Sequence, residues 1–400
     1  MLCMFAACTN NEVKEPKNLQ FSAAEKEMVN ECNAFSFNLL AQVAANDTEE
    51  NIVLSPLSAS MLLGMLMNGA DGETLAQMQA VTGFGAEASI DDINAYYKQL
   101  VQVLPDLDAY TNVGIANGIW VKEQFPVYEA FMQACKQNFD AQAKNVPTFV
   151  DDKVLKDIND FAAQHTNNRI KEIINQNMVS EATMMVLLNA LYFKALWDDE
   201  FDEDYTSPSA FDALGGTKVQ VEMMHKYEDQ VYSETEECQL VELPYKGKQY
   251  VADIVLPAKG TDIRTWVKTL NTERWQQILS GKHTEEVNLG LPKFSLNYER
   301  VLTDDLAKLG MPTAFTPLAD FSRLSEVETY ISLIKQKTFI QVDEQGTEAA
   351  AVTIGVGAAS ALPDEPKEFI ADRPFLFVIR ERSNGTILFT AIIGHPEWQK

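Results

Sequence analysis

The chain has 400 residues, 46% of them hydrophobic, and a formal net charge of −26 with a pI near 4.5. This acidity argues against a nucleic-acid-binding protein, because neutralising phosphates requires clustered Lys and Arg. No Gly/Ser-rich or Pro-rich linker divides the interior and no repeat is evident, so one domain is expected over residues 21–400.

The N-terminal segment is short and apolar and ends at a cysteine. Residues 1–8 end in Phe-Ala-Ala-Cys, and polar sequence begins at Thr9. This resembles a bacterial lipoprotein cleavage site, so we expect a signal-peptide remnant over 1–8, lipidation of Cys8, a polar tether over 9–20, and an exported envelope or extracellular protein. The segment is too short to span a bilayer, which takes about 20 apolar residues. It also lacks the basic beginning of a signal peptide, so a truncated start is expected. The alternative is an unstructured end in which the cysteine is coincidental.

The first part of the chain predicts mainly helices. Ser22-Ala23-Ala24-Glu25 is a capping box that opens a helix over 22–45, and Ser55-Pro56 begins a second helix. Hydrophobic periodicity then predicts a helix over 90–104, a strand over 113–121, and helices over 128–138 and 150–166.

The second part predicts mainly strands. Residues 184–193 are apolar without strict alternation, which is typical of a strand covered on both faces. We expect strands with one or two helices over 217–294, a helix over 298–309 that ends before Gly310, a strand over 329–342, and two strands at the C-terminus. Helices and strands mix without βαβ alternation, so the fold class is α+β.

No catalytic, metal-binding or cofactor motif is present. The four histidines are far apart without metal-ligand spacing: His165, His225, His283 and His395. Three interior cysteines, Cys32, Cys135 and Cys238, give no disulfide framework and are interpreted as small buried residues. We therefore expect no enzyme, no metal and no cofactor.

One segment near the C-terminus has two opposed tendencies. Its glycines and the Pro363–Pro366 tail favour an exposed loop. Every other residue from Thr347 to Thr353 is nevertheless small. Because strand side chains alternate between faces, this row fits a narrow slot within a sheet. The segment is therefore a loop that is able to become a strand.

The start of this segment closely resembles the hinge of inhibitory serpins, a family of serine protease inhibitors. The hinge residues are Glu344, Gln345, Gly346, Thr347, Glu348, Ala349, Ala350 and Ala351. Further segments are similar to serpin motifs and follow in family order: Asn51–Ser60, Asn189–Trp197, Val241–Gly247, Leu291–Phe294, Phe369–Arg380 and Gly385–Phe389. The resemblance implies the serpin fold, with a large mixed central β-sheet, two smaller sheets, eight or nine helices and an exposed reactive-centre loop at about 344–368.

The resemblance also implies a function, inhibition of serine proteases as a suicide substrate. A protease would cleave the loop, and the freed segment would then insert into the central sheet and trap the acyl-enzyme. Inserting a strand of this length would release on the order of 10–20 kcal/mol and span about 45 Å. The target protease would be the partner of a monomer. The alternative is a serpin-fold protein that binds or scaffolds without inhibiting, although non-inhibitory members often have bulky, charged or proline residues in the hinge.

Counting the family's usual seventeen residues from Glu344 places the reactive bond between Ser360 and Ala361. The residues before this bond are small, which suits the narrow primary pockets of elastase-like or subtilisin-like proteases. The loop after the bond is longer than usual, so Ala359 or Ala361 stays open as the residue before the cleaved bond.

The resemblance further implies two polar sites around the central sheet. In the breach, where the sheet opens, Glu344 would form a salt bridge with Lys293 beside Trp197. The shutter lets the sheet part and would contain Ser55, Ser58, Asn189 and Gln336. The last of these stands where the family commonly has a histidine, and its amide is still able to donate and accept hydrogen bonds.

Overall fold

The computed structural model describes residues 19–85, 88–347 and 366–398. The helices in these residues are α1 (Ala23–Asn46), α2 (Pro56–Met67), α3 (Gly72–Thr82), α4 (Ile90–Val103), α5 (Glu129–Phe139), α6 (Asp152–His165), α7 (Ile263–Val267), α8 (Thr272–Ser280) and α9 (Thr303–Leu309). The strands are β1 (Ile52–Leu54), β2 (Thr111–Lys122), β3 (Gln142–Val146), β4 (Met185–Leu196), β5 (Ser207–Asp212), β6 (Lys218–Glu234), β7 (Cys238–Pro244), β8 (Tyr250–Pro257), β9 (His283–Pro292), β10 (Phe294–Val301), β11 (Lys335–Val342), β12 (Gly346–Thr347), β13 (Lys367–Ile370), β14 (Phe375–Glu381) and β15 (Ile387–Ile393).

Within the described residues these strands form two sheets. The central sheet has six strands in the order β10-β11-β12-β4-β2-β3. The other has nine, in the order β1-β15-β14-β8-β7-β6-β9-β13, with β5 on β6. The expected two smaller sheets are continuous because β6 is 17 residues long. It pairs with β5 and β9 along most of its length and with β7 at its end.

Two helices cover opposite faces of the central sheet. On one face α2 approaches β4 and β11, as the contact between Met61 and Asn189 and the bonds between Ser55 and Gln336 show. On the other face α6 packs its Ile158 within a cluster that includes Leu188 of β4. Since β4 is covered on both sides, its sequence is apolar throughout, as predicted. Any strand added beside β4 would therefore have one side-chain row directed at α2.

The N-terminal expectations for local structure are confirmed. Ser22 Oγ accepts the N–H of Glu25, and the carboxylate of Glu25 accepts the N–H of Ser22, so the capping box begins α1. At α2, Ser55 is the N-cap and Pro56 occupies the first turn. The three cysteines in the described residues are free and buried. None of the described helices combines the length and the apolar character that crossing a membrane requires.

Four local predictions are corrected by the structure. The expected helix over 298–309 is confined to α9, because Phe294, Leu296 and Tyr298 are buried on alternate positions and form strand β10. The expected strand over 329–342 begins only at Lys335. Helix α3 was not predicted, since its N-cap Asp71 precedes a glycine, a poor helix former. Three strands rather than two follow the loop, because the short β13 pairs in parallel with β9.

Candidate functional site

The first part of the hinge lies within the central sheet. Strand β12 contains Gly346 and Thr347 and pairs with both neighbours, opposite Ala195 and Leu196 of β4 and Val342 of β11. In the described residues, β4 and β11 do not pair with each other directly, and the short β12 lies between them. By contrast, β11 pairs with β10 along its whole length. The sheet therefore has a site between β4 and β11 that accepts a strand.

The glycine of this short strand is required by its contacts. A β carbon on Gly346 would lie 2.1 Å from the carbonyl oxygen of Ala195 and 2.8 Å from the α carbon of Leu196. Both contacts are with backbone atoms, which cannot move away as the end of a side chain can. Only glycine lets the chain approach β4 closely enough to pair with it.

Thr347 is buried beside two aromatic rings. Its exposed fraction is 2%, and its Oγ1 lies 2.6 Å from the hydroxyl of Tyr245. The Tyr245 ring stacks on that of Trp197, with centroids 4.6 Å apart and planes 10° apart. The Trp197 indole N–H donates to the carbonyl of Asp343 at 3.0 Å. Tyr245 was not predicted as a site residue, and its only signal in the sequence was its place in the Val241–Gly247 motif.

Two of the predicted breach residues, Lys293 and Glu344, form an ion pair. Lys293 Nζ is 2.7 Å from Glu344 Oε2, and Thr206 Oγ1 donates to Glu344 Oε1 at 2.8 Å. The Phe201 N–H donates to the Glu344 carbonyl, also at 2.8 Å. Burial alone would raise the pKa of the Glu344 carboxyl, but the bonds from Lys293, its own backbone N–H and Thr206 lower the pKa below its ordinary value of 4.5. Glu344 is therefore ionised at neutral pH and is held by two other segments of the chain, one containing Phe201 and Thr206 and one containing Lys293.

A second carboxyl of this region, Asp343, shapes the turn into β12. Its Oδ1 accepts the backbone N–H groups of Gln345 at 3.0 Å and Gly346 at 3.3 Å. Burial raises the pKa of Asp343, although these bonds oppose the shift. The sequence did not single out Asp343 as a site residue, because an Asp that bonds to the backbone of a following turn is common and indicates no particular function.

Three of the four shutter residues form one hydrogen-bonded group. The Gln336 amide accepts the Ser55 N–H at 3.0 Å and donates to the Ser55 carbonyl at 2.7 Å. Ser55 Oγ donates to the carbonyl of Leu388 at 3.0 Å and accepts the Ser58 N–H at 3.4 Å. Gln336 thus links the start of α2 to β11 with a bidentate contact.

The fourth shutter residue, Asn189, bonds elsewhere. Its amide donates to Asn117 Oδ1 at 2.7 Å, and Asn117 in turn donates to the carbonyl of Phe139 at 2.6 Å. The Oδ1 of Asn189 is buried without a hydrogen-bond partner among the described residues. Such an acceptor costs about 1–3 kcal/mol while it is unpaired.

Several predicted site residues lie outside the described residues. They are Cys8, Glu348, Ala349, Ala350, Ala351, Ser360 and Ala361. In the described parts of the chain, no three His, Cys, Asp or Glu side chains are grouped in a way that would bind a metal ion.

Comparisons with known proteins agree with this geometry. The sequence profile of the family described as "Serpin (serine protease inhibitor)" matches residues 30–396. A serpin-like protein of Methanosarcina acetivorans is 31% identical over 374 residues, which cover 92% of this chain and 87% of that protein. Neuroserpin of Gallus gallus is 30% identical and covers 90% of each chain.

The fold agrees as well. The crystal structure of tengpin, a thermophilic serpin in its native state, superposes with a TM-score of 0.85 at 32% identity, covering 95% of this chain and 96% of tengpin. Members of this family are generally inhibitors of serine proteases rather than enzymes. The chain belongs to the serpin family.

Proposed function

We propose that the protein is an inhibitory serpin, a suicide substrate that traps a serine protease by inserting its cleaved loop into the central sheet. One observation carries the proposal. Gly346 and Thr347 already pair between β4 and β11, so the hinge lies at the start of the slot that an inserting strand would fill. A hinge with bulky or charged residues at these positions would not fit this site.

The register of β12 predicts where the inserted residues would go. If the pairs Thr347–Ala195 and Thr347–Val342 continue without a bulge, Thr353 comes opposite Asn189 on β4 and Gln336 on β11. Insertion would then place a hydroxyl beside the unpaired Oδ1 of Asn189. The row of small residues from Thr347 to Thr353 would face α2, on the side of the sheet where Asn189 contacts Met61.

We propose cleavage between Ser360 and Ala361 by an elastase-like or subtilisin-like protease. The small residues before this bond support the proposal. A trypsin-like protease, whose primary pocket binds Arg or Lys, would find neither residue there. Ala359 or Ala361 stays the alternative residue before the cleaved bond.

We further propose that Cys8 is lipidated and that residues 9–20 tether the serpin domain, residues 21–400, to a bacterial envelope. The apolar run that ends in Phe-Ala-Ala-Cys supports this. Metabolic labelling with radioactive palmitate should label the wild type and leave Cys8→Ser unlabelled. Equal labelling of both, or of neither, would contradict the proposal.

The test of inhibition is incubation with a pancreatic-elastase-type protease, followed by denaturing gel electrophoresis and an assay of residual protease activity. The proposal predicts loss of protease activity and a covalent adduct with the mass of the two proteins less residues 361–400, because this C-terminal piece is released when the acyl bond forms. A cleaved chain with fully active protease would instead support the non-inhibitory alternative. A matched control is protease with its nucleophilic serine blocked beforehand, which should form no adduct.

A further inference from the structure

The segment between β4 and β5 contacts the hinge on one side. Within residues 198–206, the Phe201 N–H donates to the Glu344 carbonyl and Thr206 Oγ1 donates to the Glu344 carboxylate, both at 2.8 Å. Any movement of this segment therefore changes the contacts of Glu344, which lies two residues before β12.

The same segment is attached to β6 through one lysine. Lys226 Nζ donates to the Asp199 carbonyl at 2.8 Å and lies 2.8 Å from Asp199 Oδ2. Its ammonium also lies 5.5 Å from the centre of the Phe201 ring. Only 11% of the Lys226 side chain is exposed, so this ammonium is largely removed from water.

Lys226 is shared between two carboxyl groups. It lies 2.7 Å from Glu228 Oε1, which also accepts a hydrogen bond from Gln230 Nε2 at 2.7 Å. Lys226, Glu228 and Gln230 alternate along β6 and so lie on one face of it. The carboxyl groups of Asp199 and Glu228 therefore contact the same ammonium, at 2.8 and 2.7 Å. Because two carboxylates at one site repel each other, one of them keeps its proton to a higher pH than an isolated carboxyl does.

The proton belongs mainly to Glu228. Burial and the neighbouring Asp199 raise the pKa of Glu228 to about 7, against the opposing effect of Lys226. Burial would also raise the pKa of Asp199, but the neighbouring Glu228 and Lys226 lower it. The Glu228 proton is consequently lost near neutral pH, where an isolated carboxyl would long have been ionised.

Other charged groups near β6 have different partners or face the other way. Across the ladder, Glu228 is opposite the apolar Val287 of β9. In the next strand, Lys367 lies opposite Val287 and pairs with Glu234 at 2.9 Å. On the same face of this ladder as Glu228, Glu285 pairs with His283 at 3.2 Å. The charged residues on the other face, by strand alternation, are His225, Asp229 and Glu286.

We propose that Asp199, Lys226 and Glu228 form a carboxyl latch that fixes the hinge-contacting segment to β6 while one carboxyl keeps its proton and loosens it once the proton is lost. With both carboxyls ionised, two negative charges compete for one ammonium. Asp199 is the group free to leave, because 67% of its side chain is exposed against 34% for Glu228. Its departure removes the side-chain contact with Lys226 but leaves the bond from Lys226 to the Asp199 carbonyl, so the segment that supports Glu344 is loosened rather than released.

Hydrogen exchange of the intact protein tests the carboxyl latch without any protease. Exchange of a peptide covering 198–206 is measured from about pH 5.5 to about pH 8.5 and corrected for intrinsic base catalysis. Corrected exchange should rise at least about tenfold through pH 7 in the wild type and stay flat in Glu228→Gln, which keeps a hydrogen bond without the titration. A flat wild-type profile, or the same rise in Glu228→Gln, would overturn the proposal.

Two further variants make the result specific. Asp199→Asn removes the other carboxyl and should also abolish the rise, so it replaces Glu228→Gln if that variant does not fold. His225→Gln removes the histidine on the same strand and should retain the wild-type rise; its loss would assign the titration to the histidine instead. Because no inhibition is measured, the carboxyl latch stands or falls independently of the proposed function.

Discussion

Replacement of Thr347 by Arg should convert the protein from an inhibitor into a substrate. Thr347 is 2% exposed, and its hydroxyl is bonded to that of Tyr245. An arginine there would bury a guanidinium without a partner, a cost of several kcal/mol, and would leave the Tyr245 hydroxyl unpaired for about 1–3 kcal/mol more. If about 3–4 kcal/mol of this cost raises the activation barrier of insertion, insertion becomes slower by roughly 10²–10³-fold.

The assay is the ratio of covalent adduct to cleaved chain after incubation with elastase. Slower insertion gives the acyl-enzyme time to hydrolyse, so Thr347→Arg should yield cleaved chain and active protease. Thr347→Ser is the matched control, because it keeps the hydroxyl beside Tyr245 and should inhibit normally. If Thr347→Arg formed as much adduct as Thr347→Ser, the proposed path of the hinge into the slot would be refuted.

Three more changes test the site. Gly346→Ala should expel the hinge from the sheet and raise hydrogen exchange at the hinge, because its β carbon would lie 2.1 Å from a carbonyl oxygen of β4; unchanged exchange would contradict this. Glu344→Gln should cost about 2 kcal/mol in denaturant unfolding at pH 7, since it removes the ion pair with the partly exposed Lys293. As the pKa of Glu344 is lowered on folding, that difference should vanish as the pH falls below 4.5, and a difference independent of pH would exclude the ion pair as its cause. Thr353→Val should destabilise the cleaved form by about 1 kcal/mol and leave the intact form unchanged, if insertion pairs its hydroxyl with Asn189; an equal effect on both forms would refute that register.

Local sequence signals predicted the elements that depend on local interactions. The capping box of α1 and the proline at the start of α2 involve residues within one turn, so the sequence contains their whole cause. The beginning of the predicted helix over 298–309 failed because β10 is stabilised by its ladder with β11, which is distant in the sequence. Tertiary pairing there overrides the local pattern.

The candidate site was predictable only where a motif specified it. The pair of Lys293 and Glu344 followed from the family resemblance and lies in contact. Tyr245 and Asp343 were missed, because their roles depend on where the hinge lies in the sheet. The position of Asn189 apart from the other shutter residues was likewise invisible in the sequence, since its partner Asn117 comes from a neighbouring strand.

Thermal unfolding of the intact protein and of protein nicked once in the reactive-centre loop tests the central claim most directly. Insertion of the loop should stabilise the nicked form by on the order of 10 kcal/mol or more, which raises its unfolding midpoint by at least about 10 °C. A nicked form that melts at or below the temperature of the intact protein would contradict the account, because the central sheet would then have no stored energy with which to trap a protease.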